Sequence, residues 1–236
     1  DQMFSSATAL SGGGFVVAYQ SLDLSRMSYG ISAQRYDASG SPVGSEFFIN
    51  ETESGSQVDV RLAALDNGGF AAVWSDSGND GSGYGIFGRR FDASGTAIDA
   101  NDFQVNSAIS GTQADAGITG LPDGGFIVTW TSASASGDTS SYGVAGQRFD
   151  ASGNKIGTEF LVNTTTANQQ KYPYVTALDD GDFVVAWGSD LQAGDNSELG
   201  VYAQRFASPT PSGTVTATEH AVSTVTGSTT GEAPFG

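Results

Sequence analysis

Short runs of β-forming residues, separated by Gly, Asp, Asn and Ser, follow one another along the chain, and none has helical periodicity over ten or more residues. Residues 58–65 and 70–75 are two such runs, joined by a cluster that suits a tight hairpin, with Gly69 expected to hold a positive φ. Residues 84–91 alternate as a third run, and residues 103–106 supply a fourth. This stretch therefore predicts a four-stranded antiparallel meander.

The four-run pattern occurs four times, with a period of about 55 residues. Its first marker is Gly-Gly-Phe, or Gly-Asp-Phe in the fourth copy, followed by apolar residues and an aromatic ring, with the phenylalanines at Phe15, Phe70, Phe126 and Phe183. Its second marker, Gln-Arg-Phe-Asp-Ala-Ser-Gly, is complete at residues 147–153 and shortened at residues 204–206. A fixed period of this length indicates a propeller, a solenoid or an array.

Both faces of the second run are apolar, because Phe70, Ala72 and Trp74 lie on one face while alanine and valine alternate on the other. Such a meander must stack on copies of itself, and radial stacking leaves only short edges. The sequence therefore predicts an all-β fold, a β-propeller of four four-stranded antiparallel blades. The predicted blades are approximately residues 1–51, 57–107, 113–164 and 169–223, followed by a Ser/Thr/Gly linker or frayed tail at 224–236. A β-solenoid, part of a larger ring and an eight-bladed ring of two chains are the alternatives.

The composition is strongly acidic, with 9 Lys and Arg against 26 Asp and Glu and a formal net charge of −17. Such a surface repels phosphate, so we expect no nucleic-acid partner, and no apolar run is long enough for membrane insertion. The chain has no Cys, which excludes a disulfide framework and a thiolate site.

The joined motifs Gly-Gly-Phe-Val-Val-x-Trp, Tyr-Gly-Val-x-x-Gln-Arg-Phe-Asp-Ala-Ser-Gly and Glu-Phe-x-Val-Asn run through residues 1–206. They resemble the tandem repeats of large bacterial secreted and surface proteins, which are adhesin-like and often carry haemolysin-type calcium-binding segments. The resemblance implies a secreted, extracellular or cell-surface protein. The calcium-binding nonapeptide series Gly-Gly-x-Gly-x-Asp is absent here, so calcium held in that manner is not carried over.

Aromatic residues recur at the end of the second run of each copy, just before a long polar loop, and others stand across that loop. The first group is Tyr19, Trp74, Trp130 and Trp187, and the second is Tyr29, Tyr84 and Tyr142. Rings at a loop rim can stack on sugars, which predicts shallow glycan sites. Packing between blades is the competing interpretation.

The same loops carry acidic and amide side chains, the oxygen ligands that Ca²⁺ prefers. These candidates are Asp76, Asn79 and Asp80 in the second copy, and Asp190 and Asp195 in the fourth. Their spacing differs between copies, so a solvated polar loop is the alternative. No other cofactor is expected.

Two kinds of charge recur in phase. The aspartates Asp37, Asp92 and Asp150 begin a turn, where each is expected to bond the following backbone. The arginines Arg35, Arg90, Arg148 and Arg205 must be paired, either in a structural clamp or by an anionic ligand. The only histidine, His220, occupies the position of Phe160 and is expected to be a variant packing residue or an edge residue.

No constellation in the sequence assigns a catalytic residue. We therefore expect a non-enzymatic extracellular adhesion or structural module of a bacterial surface or matrix, whose partners are extracellular glycans or further copies of itself. A lectin with shallow sites at the blade loop rims is the alternative. A carboxylate-based polysaccharide-active enzyme is the third possibility.

Overall fold

The computed structural model describes residues 2–23, 28–135, 137–138, 141–190, 199–207 and 217–222. Across these ranges the chain is all-β, and its strands form four four-stranded antiparallel sheets. The predicted fold class, a β-propeller of four blades, is confirmed. The described residues contain no helix that is long and apolar enough to cross a bilayer.

Each sheet is one blade, and its strands follow in chain order across the sheet. Blade 1 contains β1 (Gln2–Ala9), β2 (Phe15–Asp23), β3 (Ser28–Tyr36) and β4 (Pro42–Phe48). Blade 2 contains β5 (Gln57–Ala64), β6 (Phe70–Ser77), β7 (Tyr84–Phe91) and β8 (Phe103–Gln104). Blade 3 contains β9 (Gln113–Gly120), β10 (Phe126–Ser132), β11 (Gly143–Phe149) and β12 (Lys155–Leu161). Blade 4 contains β13 (Gln170–Ala177), β14 (Phe183–Asp190), β15 (Leu199–Phe206) and β16 (Ala217–Ala221).

The hairpin between β5 and β6 needs two glycines for two different reasons. Gly68, rather than Gly69 as we expected, has the positive φ, at 86°. Gly69 is required by close approach, because a Cβ there would lie 2.1 Å from the carbonyl oxygen of Phe91. The turn was placed correctly, and the constraint on Gly69 is steric instead of torsional.

Three apolar layers hold neighbouring blades together. Between blades 1 and 2, Phe70 and Trp74 pack with Val16 and Ile31, and all four side chains are fully buried. The layers between blades 2 and 3 and between blades 3 and 4 repeat this arrangement with Trp130 and Trp187. In blades 2 and 3 both faces of the middle strands are therefore used, as their apolar pattern predicts.

The blades stand around one axis with their first strands innermost. β1, β5, β9 and β13 pack on one another in that order, whereas the described parts of β13 and β1 do not pack as the other neighbours do. At the hairpin end of the axis, four equivalent leucines line a cavity of about 480 Å³: Leu10, Leu65, Leu121 and Leu178. Blades 1 and 4 thus face the same axis without sealing against each other.

The repeated Asp-Ala-Ser-Gly turn is confirmed as a structural motif. In blade 2 the Asp92 carboxylate accepts hydrogen bonds from the Ser94 hydroxyl at 2.6 Å and from the Thr96 amide at 2.9 Å. These donors favour the ionised form and hold the pKa of Asp92 below its ordinary value. The recurring acid therefore shapes a turn.

Two of the four recurring arginines, Arg35 and Arg90, act as clamps between blades, whereas Arg148 and Arg205 pair with acids of their own blades. Arg90 pairs with Asp99 at 2.6 Å and donates a second hydrogen bond, of 2.9 Å, to the carbonyl oxygen of Ala151 in blade 3. Arg35 likewise donates to the carbonyl oxygen of Ser94 in blade 2 at 2.8 Å. In each case the guanidinium reaches the turn of the next blade, which confirms the structural interpretation at these two positions.

Candidate functional site

The innermost strand of every blade has a β-bulge near its beginning, at the end of the axis opposite the hairpins. One non-glycine residue at each bulge has a left-handed backbone: Phe4 (φ 51°), Asp59 (φ 56°), Asp115 (φ 54°) and Tyr172 (φ 59°). Such a conformation costs about 1–3 kcal/mol per residue, and it concentrates at functional sites. Four equivalent strained positions around one axis therefore mark the candidate site.

A repeated amide pair fixes the strand just before each bulge. The Gln57 side chain is fully buried, and its carbonyl oxygen accepts a hydrogen bond of 3.2 Å from Asn50 at the end of blade 1. The same pairing joins Asn106 to Gln113 at 3.1 Å and Asn163 to Gln170 at 3.2 Å. The bulge residue lies two positions after this glutamine. The amide pair therefore fixes the position of the bulge relative to the preceding blade.

The two central blades place carboxylates at the bulge. Asp115 is partly buried, and this burial raises its pKa, an effect that the nearby Asp59 carboxylate strengthens. A hydrogen bond with Thr131 and the positive charges of Lys171 and Arg61 act in the opposite direction. A carboxyl group whose pKa is raised, beside a second carboxylate, is suited to act as a general acid.

The two outer blades place aromatic rings at the same position. Phe4 and Tyr172 are 60% and 56% exposed, although bulky residues rarely adopt a left-handed φ. The Tyr172 amide donates to the Thr131 hydroxyl at 3.1 Å, and the same hydroxyl bonds Asp115. Exposed rings on the strands that flank the acids can stack on a sugar.

The aromatic residues predicted to bind glycans lie elsewhere. Trp74 and Trp130 are completely buried and Trp187 is 1% exposed, since all three fill the layers between blades. A sugar cannot reach these indole faces, so the structure corrects that interpretation in favour of core packing. The tyrosines Tyr29, Tyr84 and Tyr142 are partly buried, and the Lys171 ammonium lies 4.2 Å from the centroid of the Tyr142 ring.

Tyr19 occupies the tryptophan position in blade 1, but its surroundings differ. Its side chain is only partly buried, since no blade packs on this face within the described residues. Burial and a hydrogen bond to Glu46 raise the pKa of Tyr19 to about 12. The phenol is therefore tied to its own blade.

In blade 2 most of the loop oxygens predicted to bind calcium are already hydrogen-bonded, although Asp80 Oδ2 is buried without a hydrogen-bond partner among the described residues. Asp76 is buried and accepts bonds from the amides of Gln57, at 3.1 Å, and Asn79, while burial raises its pKa. Asp80 accepts the Ser82 amide at 2.8 Å. Within the described ranges, no group of three or more His, Cys, Asp or Glu side chains could hold a metal ion. Asp190 lies partly buried on β14, and Asp195 lies outside the described residues.

The cavity at the hairpin end offers little chemistry. Its lining is mostly leucine, alanine and glycine, and its acids, Asp66 and Asp179, are exposed turn residues. It lies about 15 Å along the strands from the bulges. The groups able to transfer protons are therefore at the bulge end.

Sequence analysis missed all four bulge residues because a bulge depends on strand register. A signal was nonetheless present. The position two residues after the repeated glutamine is Phe, Asp, Asp and Tyr in the four copies, so it changes between aromatic and acidic while the glutamine stays the same.

No family model matches this chain. No curated protein matches it either. Solved structures do resemble it, among them the GH93 α-L-arabinofuranosidase of Fusarium graminearum in complex with arabinobiose, with TM-score 0.63 and 11% identity over 94% of this chain and 66% of that chain. The α-L-arabinanase of Penicillium chrysogenum complexed with arabinobiose has TM-score 0.61 and 12% identity, over 92% of this chain and 66% of that one. A thermostable family-43 glycoside hydrolase has TM-score 0.54 and 9% identity over 99% and 77% of the two chains.

The chain spans 66% of the length of the first two of these propellers. At such low identity the likeness establishes the shared β-propeller fold. It also contradicts our prediction of a non-enzymatic adhesion or structural module, because these three structural neighbours are glycoside hydrolases. The expectation that the chain is not an enzyme was wrong for the same reason.

Proposed function

We propose that this chain is a glycoside hydrolase domain whose catalytic pair is Asp59 and Asp115 at the bulge end of the axis. The observation that carries the proposal is their placement, at equivalent strained positions on adjacent innermost strands. The structural likeness to arabinose-active hydrolases supports it. Hydrolysis of a glycosidic bond ordinarily uses two carboxyl groups in different roles.

Asp115 is the general acid in this proposal. Burial and the adjacent Asp59 charge favour its protonated form, so it can carry a proton to the glycosidic oxygen as the bond to the anomeric carbon breaks. Asp59 is the second carboxyl group, and its carboxylate bonds to the anomeric carbon as the bond to the leaving sugar breaks. Water then displaces Asp59 from that carbon and gives its proton to the Asp115 carboxylate, which restores both groups.

The substrate proposed is a polysaccharide rich in pentose units. Two of the structural neighbours hold arabinobiose, and another is described as a xylanase. Phe4 and Tyr172 would stack on sugar units on either side of the acids. An extracellular location suits this role, because such polymers are too large to enter a cell.

Hydrolysis of arabinan, arabinobiose and xylan tests the proposal, with the rate followed by release of reducing ends. Asp59→Asn and Asp115→Asn should each lower the rate by about 10²–10⁴-fold. Asparagine accepts a left-handed φ as aspartate does, so both variants should fold. Asp66→Asn, in the exposed turn that follows β5 at the opposite end of the axis, is the control and should retain full activity.

An aryl glycoside with an acidic leaving group separates the two roles. Such a substrate departs without a proton, so Asp115→Asn should regain most of its rate on it while Asp59→Asn stays impaired. The wild-type rate should also fall as pH rises through the pKa of Asp115, and this alkaline limb should vanish in Asp115→Asn. Wild-type protein inactive on the whole panel, or equal activity of both variants and wild type, would refute the proposal.

A further inference from the structure

One face of blade 1 is apolar but is not covered by another blade among the described residues. Its Phe15, Val17 and Tyr19 side chains are only partly buried, whereas the equivalent Phe70 and Trp74 of blade 2 are 0% exposed. On the same face, the Phe48 ring is 68% exposed. The side of blade 1 that would receive a preceding blade is thus apolar and open among the described residues.

Blade 4 has the complementary half. Val201 is 44% exposed, although its equivalents in the three other blades are completely buried: Ile31, Ile86 and Val144. Tyr174, on the same face, is 70% exposed. The side of blade 4 that would receive a following blade is therefore also open.

The arginine clamp is incomplete at the same two places. A Cβ at Gly95 would meet Arg35 at 2.8 Å, and one at Gly153 would meet Arg90 at 2.6 Å, whereas a Cβ at Gly40 in blade 1 would meet nothing within 4 Å. In blade 4, Arg205 pairs with acids of its own blade, as Arg148 does in blade 3, but the Arg205 side chain is 56% exposed and that of Arg148 only 9%. The turn at Gly40 on blade 1 is therefore contacted by no arginine, and the exposed Arg205 on blade 4 contacts no turn of another blade in the described structure.

Two further contacts are missing from blade 1. Asp102 in blade 2 accepts the Thr52 amide of blade 1 at 2.8 Å, but the equivalent Glu46 bonds Tyr19 of its own blade instead. Gln57 is 1% exposed because Asn50 covers it, whereas the equivalent Gln2 is exposed. Glu46 and Gln2 of blade 1 thus lack the contacts with a preceding blade that Asp102 and Gln57 of blade 2 make.

We propose that a second copy of this chain completes the interface by docking its blade 4 on blade 1. The contact repeats the apolar packing of the three interfaces within the chain, with Val201 against Phe15 and Tyr19. It also repeats the arginine clamp seen at two of them, with Arg205 directed to the turn at residues 37–40. It is head-to-tail, because the two faces differ, and it closes into a ring if the rotation allows. The inference does not depend on the proposed hydrolase activity.

Sedimentation velocity and native mass spectrometry of the whole chain test this at 0.15 M salt, which screens the acidic surface. The wild type should form a dimer or a larger assembly. Phe48→Glu, on blade 1, and Val201→Glu, on blade 4, should each yield monomer. Ile109→Glu alters a side chain of matched exposure, 47%, outside both faces and should assemble as wild type does.

Mixing the two disrupted variants is the decisive arm. Each retains one intact face, so an equimolar mixture should give a dimer of one copy of each and nothing larger. A wild type that stays monomeric at high micromolar concentration overturns the proposal. A mixture that remains monomeric, or an Ile109→Glu variant that dissociates equally, overturns the head-to-tail contact.

Discussion

Replacing Arg90 by Met should lower the free energy of unfolding by about 3–5 kcal/mol, because it leaves the Asp99 charge unpaired in a largely buried setting. The two side chains are 9% and 18% exposed, and they are joined by hydrogen bonds of 2.6 and 3.1 Å. The change also removes the bond of 2.9 Å to Ala151, so the clamp between blades 2 and 3 is lost. Thermal unfolding should show the loss at about 2–4 °C per kcal/mol for a chain of this size.

The repeat supplies its own control for this prediction. Arg205→Met alters the equivalent residue of blade 4, which is 56% exposed, and should cost far less. Both changes are best measured in the Val201→Glu background, where assembly does not contribute. Adding Asp99→Asn to Arg90→Met should recover part of the stability. Equal losses at Arg90 and Arg205 would refute the reasoning, because burial would then not determine the value of the clamp.

Three further outcomes are expected. Gly69→Ala should lower the free energy of unfolding by about 3 kcal/mol, because its Cβ would lie 2.1 Å from the Phe91 carbonyl oxygen. Gly78→Ala should lower it by about 1 kcal/mol, because Gly78 has a φ of 89° but open space around it. Urea unfolding measures both changes. Asp115→Asn should stabilise the fold at pH 7 and make no difference below pH 3, because the raised pKa of Asp115 means that its ionisation destabilises the folded state as pH rises past the ordinary value of 3.8. Calcium should raise the melting temperature no more than magnesium at equal ionic strength if the loop acids are only solvated or internally bonded, and a larger effect of calcium would restore the metal site.

The strands were predictable because the repeat shows the same signals four times. The predicted strand at residues 84–91 matches β7 (Tyr84–Phe91), whereas β8 ends at Gln104 instead of residue 106. The side chain of Asn106 accepts the Ile86 amide at 2.8 Å, so a side chain replaces the strand pairing there. Local sequence carries the strand signal, but which group satisfies a given amide depends on contacts across the sheet.

The site was not predictable in the same way. We predicted metal binding from the polar loops, but the Asp76 carboxylate is hydrogen-bonded within its own blade. We predicted sugar binding from the tryptophans near those loops, but Trp74 lies in the core. The acids that converge, Asp59 and Asp115, lie within strands and belong to different copies. Their proximity follows from how the blades pack, which a single repeat cannot show. The resemblance to bacterial secreted repeat proteins stays a prediction, since the fold does not test it.

At the bulge on each innermost strand, the backbone conformation does not depend on which side chain is present. Phe, Asp, Asp and Tyr adopt nearly the same φ at these positions, between 51° and 59°, so the surrounding sheet imposes the conformation on whichever residue is there. One position per blade can therefore change its side chain while the other strands keep the same packing. A library that varies only residues 4, 59, 115 and 172 would explore the chemistry of the axis on a constant scaffold. Repeat duplication could have diversified such a protein by the same route, with one changed codon in each copy.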